Sequence, residues 1–120
     1  MDELCKIRDV YRLIYEFESR LHAQYGIGLN EGVLICSVCR EGKCSSGQIA
    51  ERLGLSCSNS SKVIASAEKK GLIKRILGAE DRRQMYFNLT TEGKQLLEII
   101  RSASGELYEV LGEIKDTVNN

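Results

Sequence analysis

Apolar residues recur at steps of three and four over residues 3–24, where Leu4, Ile7, Tyr11, Ile14, Phe17 and Leu21 share one face, so the spacing predicts a long amphipathic helix. Gly26 and Gly28 stop it. Asn30 is placed to cap a second helix, whose apolar set Val33, Leu34, Cys36, Val38 and Cys39 is broad enough to predict burial on most sides, with Gly42 at its end. Ser45 and Gln48, three residues apart, fit a capping box, in which each side chain satisfies a free backbone donor of the other residue. The short helix they open closes at Gly54. Ser56 then caps a further helix running to Lys70, with Val63, Ile64 and Ala67 as its inward stripe and Gly71 tolerating the positive φ of a helix stop.

Beyond Gly71 the period changes from that of a helix to that of strands. The run Leu72 to Arg75, a basic turn containing Gly78, and the run Gln84 to Thr90 predict a hairpin. Its second strand alternates Met85, Phe87 and Leu89 with Gln84, Tyr86 and Asn88, which predicts half-burial. Thr90 is placed to cap a helix through Leu96, Leu97, Ile99 and Ile100, and after Gly105 comes a last amphipathic segment carrying Leu107, Val110, Leu111, Ile114 and Val118.

These elements predict a mainly α fold with a small β-hairpin wing: a winged helix-turn-helix with N- and C-terminal dimerisation helices. The expected organisation is a single domain over 1–120, with the winged helix-turn-helix core at 29–90 and the helices at 1–25 and 91–120 forming a dimer interface. The first and last helices carry more apolar positions than a small core can cover. At about 25 cal/mol per Å² of apolar surface, pairing those stripes with a second copy contributes many kcal/mol, and a homodimer is the expected outcome.

Charge refines this picture. The net charge of zero argues against indiscriminate coating of nucleic acid. Between residues 62 and 83, however, Lys62, Lys69, Lys70, Lys74, Arg75, Arg82 and Arg83 face only Glu68, Glu80 and Asp81, whereas residues 90–120 are acidic. One basic region set against an acidic one is what a protein needs when a single face meets phosphates. No run of about 18 apolar residues and no signal segment is present, so no membrane partner and a cytoplasmic location are expected.

Four motifs, Ile49-Ala50-Glu51-Arg52-Leu53-Gly54-Leu55-Ser56, Glu68-Lys69-Lys70-Gly71-Leu72-Ile73-Lys74-Arg75, Glu80-Asp81-Arg82-Arg83 and Leu89-Thr90-Thr91-Glu92-Gly93, occur in this order and spacing. Together they resemble the MarR (multiple antibiotic resistance regulator) family of winged-helix transcription regulators, over roughly residues 29–100. The resemblance implies that the helix opened by Ser56 enters the DNA major groove, with Cys57, Ser58, Ser61 and Lys62 at DNA-facing positions. Short hydroxyl side chains at a helix N-terminus suit that task, because they let the backbone approach and bond phosphates or base edges. Asn59 also faces outward and suits adenine, and Ser45, Ser46, Lys74 and Arg75 are further expected DNA contacts.

In the wing, the resemblance implies that Asp81 steadies the Arg83 fork near the minor groove while Arg82 meets phosphate. Two departures from the family pattern stand out. Ser60 replaces an apolar residue early in the recognition helix and is expected to bond a backbone carbonyl. The chain is also short between its first two helices, which implies a small or missing ligand pocket.

Five cysteines, Cys5, Cys36, Cys39, Cys44 and Cys57, without a secretion signal predict reduced thiols rather than a disulfide scaffold. Cys36 and Cys39 lie inside an apolar helix, which favours core filling over a metal site or thiol switch. Cys57 sits at a helix start, where the dipole favours a thiolate and oxidation would add bulk at the DNA surface. His22, the one histidine, is given no catalytic role.

The expected function is therefore a sequence-specific, dimeric DNA-binding repressor on a pseudo-palindromic operator, with double-stranded DNA, a second copy and a small-molecule or redox effector as partners. The alternatives are a winged-helix protein-interaction module and a thiol- or metal-responsive variant of the same regulator. A thiol oxidoreductase would need an exposed thiolate at a helix start beside a βαβ unit, which this pattern lacks. No enzyme, cofactor or metal site is expected.

Overall fold

Local capping chemistry sets the element boundaries in the computed structural model, which describes residues 2–76 and 85–120. Among these residues the order is α1 (Glu3–Tyr25), α2 (Leu29–Glu41), β1 (Cys44–Ser45), α3 (Ser46–Leu53), α4 (Cys57–Lys69), β2 (Ile73–Arg75), β3 (Tyr86–Leu89), α5 (Thr91–Ser102) and α6 (Ser104–Asn119). The Ser45 hydroxyl accepts the Gln48 N–H at 3.1 Å while the Gln48 amide oxygen accepts the Ser45 N–H at 2.8 Å, so the capping box forms as expected. Ser56 accepts the Asn59 N–H at 3.1 Å and opens α4.

Two boundaries differ from expectation. α2 begins at Leu29, so Asn30 lies in its first turn instead of capping it, and α6 begins at Ser104, ahead of Gly105. Neither helix start carries the short side-chain signal that marks α3 and α4; at α6 the N-cap is Ala103, which makes no side-chain hydrogen bond.

The chain's contacts divide it into two units, one running to Gly28 and resuming at Ile100–Asn120, the other Leu29–Ile99. In the first, α1 and α6 pack together, with Leu21 and Val110 buried and Arg20 3.4 Å from Glu106. Of the predicted α1 stripe only Leu21 is buried. Leu4, Ile7 and Tyr11 are 60–72% exposed, and Tyr15 on α1 and Tyr108, Leu111 and Val118 on α6 are also open.

In the second unit α2, α3 and α4 pack around Leu34, Ile35, Val38, Ile49, Ile64 and Ala67, and the sheet closes the core with Ile73, Phe87 and Leu89. The sheet has three antiparallel strands in the order β1-β3-β2, with Cys44 opposite Phe87 on one side and Arg75 opposite Phe87 on the other. β1 is an addition to the expected hairpin. Phe87 and Leu89 point inward as their alternation predicts, whereas Met85 is 39% exposed. On α2 burial reaches round most of the helix: Glu31, Leu34, Ile35, Ser37 and Val38 are buried and Val33 and Cys36 half-buried, and of the predicted set only Cys39 is exposed.

The junction after α4 is tight. Gly71, at φ 74°, turns the chain, and Thr90 then joins three segments by donating its hydroxyl to the Gly71 carbonyl at 2.6 Å and accepting the Gly93 N–H at 2.9 Å. A Cβ at Gly93 would overlap the Leu72 carbonyl oxygen and press on the Leu89 side chain, which explains why glycine stands at this point of α5.

Ser60 contradicts expectation: it is 1% exposed, yet its hydroxyl has no hydrogen-bond partner among the described residues, not even the carbonyl one turn back. A buried hydroxyl left unpaired costs about 1–3 kcal/mol. Ser60→Ala is therefore expected to raise the unfolding free energy by about 1 kcal/mol or more. Gly93→Ala is expected to lower it by about 3 kcal/mol through overpacking against rigid backbone. Urea unfolding of the two variants checks both signs, and an unchanged midpoint for either would contradict the packing described.

Candidate nucleic-acid interface

A short helix, a turn at Gly54 and a second helix present one polar surface. Gly54, at φ 68°, lets the chain leave α3 and reach Ser56. From there Cys57, Ser58, Asn59, Ser61 and Lys62 are all exposed, while Ser60, Ile64 and Ala67 hold the opposite side of α4 in the core. Ser61 donates its hydroxyl to the Cys57 carbonyl at 2.8 Å, so towards an outside group it remains an acceptor only. The backbone N–H of Asn59 is taken by Ser56, but its side-chain amide has no partner among the described residues and can offer a donor and an acceptor side by side.

The other expected contacts fall in different places. Ser45 is buried and its hydroxyl is spent on the α3 cap. Ser46 is half-buried, with its N–H bonded to the Met85 carbonyl at 2.8 Å. Lys74 is exposed on β2 opposite Asn88. Arg75, at the end of the same strand, is held by Glu68, with Nε donating to Oε2 at 2.9 Å and Nη2 to Oε1 at 3.2 Å. That carboxylate raises the arginine's pKa above its ordinary value, first by the hydrogen bonds and then by its charge. Asp81, Arg82 and Arg83 lie outside the described residues.

Two acidic residues that matter to this surface have no place among the expected contacts. Glu31, in the first turn of α2, accepts the Ser66 hydroxyl at 2.7 Å and the Lys70 ammonium at 2.7 Å, and so anchors α4 from 35 and 39 residues away. No local pattern signals a pair that distant. Glu68 was legible in principle, because it and Arg75 are opposite charges flanking the Gly71 turn.

The thiols do not gather at one point. Cys5, Cys39 and Cys57 are exposed, Cys36 is half-buried and Cys44 is buried, and no group of three or more His, Cys, Asp or Glu placed to hold a metal ion occurs among the described residues. Cys44 donates to the Ser37 carbonyl at 3.8 Å, and burial, helped by the Glu41 charge, pushes its pKa up. The folded protein thus holds that proton more tightly than the open chain does. Its stabilising effect is complete below the thiol's ordinary range and fades as pH rises through the raised value.

Comparison with known proteins agrees with the geometry. Residues 25–84 match the model of the MarR family. An uncharacterised HTH-type transcriptional regulator of Bacillus subtilis, YwaE, is 27% identical over 111 residues, covering 91% of this chain. The chain spans 65% of that relative's length. A solved MarR/EmrR family transcriptional regulator from Acinetobacter sp. ADP1 superposes with a TM-score of 0.76 at 26% identity, over 92% of this chain and 79% of that one. The S. aureus MepR–DNA complex does so with a TM-score of 0.78 at 23% identity, over 94% and 83%. No helix among the described residues is long and apolar enough to cross a membrane.

Because the thiolate is the reacting form, Cys44 is expected to be alkylated last by iodoacetamide at pH 8, well after Cys5, Cys39 and Cys57. Time-resolved peptide mass spectrometry of the native protein reads the order, and labelling of Cys44 as fast as Cys57 would contradict its burial.

Proposed function

Because this chain belongs to the MarR family of transcriptional regulators, we propose that it binds double-stranded DNA as a homodimer, with α4 in the major groove and β2 and the wing beside it. The observation that carries this reading is the α4 face. Ser58, Asn59 and Lys62 project from a capped helix start with no competing partner among the described residues, and the anchor from Glu31 fixes the rotation of the helix that bears them. Short side chains let the helix N-terminus approach the groove floor, Asn59 offers the paired donor and acceptor that suit adenine, and Lys62 and Lys74 supply phosphate contacts.

The exposed apolar residues of α1 and α6 support the dimer. Leu4, Ile7, Tyr11, Tyr15, Tyr108 and Leu111 are each 60% exposed or more, and fully burying a large apolar side chain is worth about 1.5–3 kcal/mol. Contributed twice over, that set exceeds the roughly 4–15 kcal/mol that association costs. A two-fold pair carries two α4 helices, which read half-sites about one helical turn apart, and occupancy of such an operator represses by excluding other proteins from it.

Selection of bound duplexes from a random library is expected to return a pseudo-palindrome with half-sites about 10 base pairs apart. Lys62→Ala is expected to weaken binding to all duplexes alike and to reduce the slope of log K against log salt by about 0.9 per subunit. A strictly monomeric protein that retains no duplex in dilute buffer would end this reading.

A further inference from the structure

We infer that Glu68 is a positioning residue for DNA binding: it holds the Arg75 guanidinium so that the remaining face of the fork meets a backbone phosphate of the duplex. The inference rests on the DNA reading above and deepens it.

Glu68 lies in the last turn of α4 and Arg75 closes β2, so their pair ties the helix placed in the groove to the strand that follows it. The contact is two-pronged, at 2.9 and 3.2 Å, and uses one edge of the guanidinium. Of its five N–H donors, the two engaged by Glu68 leave three without a partner among the described residues. The arginine's position across the sheet from Phe87 adds a second restraint, with its guanidinium carbon 5.9 Å from that ring's centroid. Even so, the Arg75 side chain is 54% exposed against 24% for Glu68. The carboxylate is tucked behind and the cation stands in front.

Lys70 shows the contrasting arrangement. Its ammonium is drawn to Glu31, whose side chain is only 10% exposed, and that pair serves the core. A flexible arginine would lose its side-chain freedom on meeting phosphate, whereas one already held by Glu68 has lost it in the free protein. A carboxylate near a phosphate is repulsive, however, so charge alone and positioning predict opposite outcomes when Glu68 is removed.

The test uses the full chain and a duplex bound by the unmodified protein, with Kd measured over a range of salt. Glu68→Ala is expected to weaken binding about two- to tenfold, the cost of immobilising one long side chain, despite deleting a negative charge. Glu68→Gln, whose amide oxygen still accepts one N–H, falls between. Arg75→Lys keeps the charge but cannot take the two-point grip, and weakens binding similarly. Arg75→Ala also lowers the salt slope by about 0.9 per subunit, which Glu68→Ala does not.

Thermal unfolding confirms that each variant is folded, and because the Arg75 side of the pair is 54% exposed only small changes in Tm are expected. Should Glu68→Ala fail to fold, Arg75→Lys decides the matter alone. Binding by Glu68→Ala that equals or exceeds that of the unmodified protein overturns the inference and leaves the DNA reading standing. Failure of the unmodified protein to retain any duplex sinks both.

Discussion

The orientation of α4 depends on one buried carboxylate. Glu31 is 7% exposed, and a carboxylate so placed is tolerable only when its charge and lone pairs are answered. Ser66 on α4 and Lys70 at its C-cap answer it from positions four apart, which lie one above the other on the same helical face. Two grips on one face fix the rotation of the helix about its axis as well as its distance from α2, which a single contact would not. Once that rotation is set, Ser60, Ile64 and Ala67 lie inward, and Ser58, Asn59 and Lys62 have nowhere to go but outward. The character of the polar face is thus decided from the core side.

The same logic sorts the positive charges. Residues 62–83 hold a surplus of four by sequence, but those charges are not equivalent in the fold. Lys70 is spent on Glu31 and supports packing. Arg75 is held by Glu68 yet keeps most of its surface open. Lys62, Lys69 and Lys74 are exposed and have no ion pair among the described residues. A protein of zero net charge can therefore still carry a locally cationic stretch, because six of its acids follow residue 90 and two of those nearer, Glu31 and Glu68, are paired with Lys70 and Arg75.

How much of this the sequence reveals follows from the range of each interaction. The caps at Ser45, Ser56 and Thr90 were legible because each spans three residues and uses a side chain specialised for it. Helix starts without that chemistry, at Leu29 and Ser104, were misplaced by one or two residues. The strand Cys44–Ser45 is too short to show alternation, and its partner lies more than 40 residues away. On α2 the broad burial was legible from its apolar set, and cysteine's ambiguous polarity misled only at Cys39, which is exposed. Glu31 and its partners could not be read at all, since a residue pair so far apart leaves no pattern in one chain. The exposed stripe on α1 shows the opposite limit: its apolar character was plain, while which of its residues the rest of the chain covers was not, and only Leu21 is buried.

Ser60 and Gly93 show why an exception to local rules must be read through its surroundings. Gly93 breaks helix propensity at the start of α5, and the fold explains it completely, because the Leu72 carbonyl occupies the space a side chain would need. Ser60 breaks the pattern of apolar core positions, and no bond compensates for it within the described residues. Its place is informative nonetheless. It lies one turn inside the capped end of α4, beneath the exposed Cys57, Ser58 and Asn59 and at the opposite end of the helix from the Glu31 anchor. Departures of this kind concentrate at functional surfaces, where some stability is given up for a property the fold alone does not require.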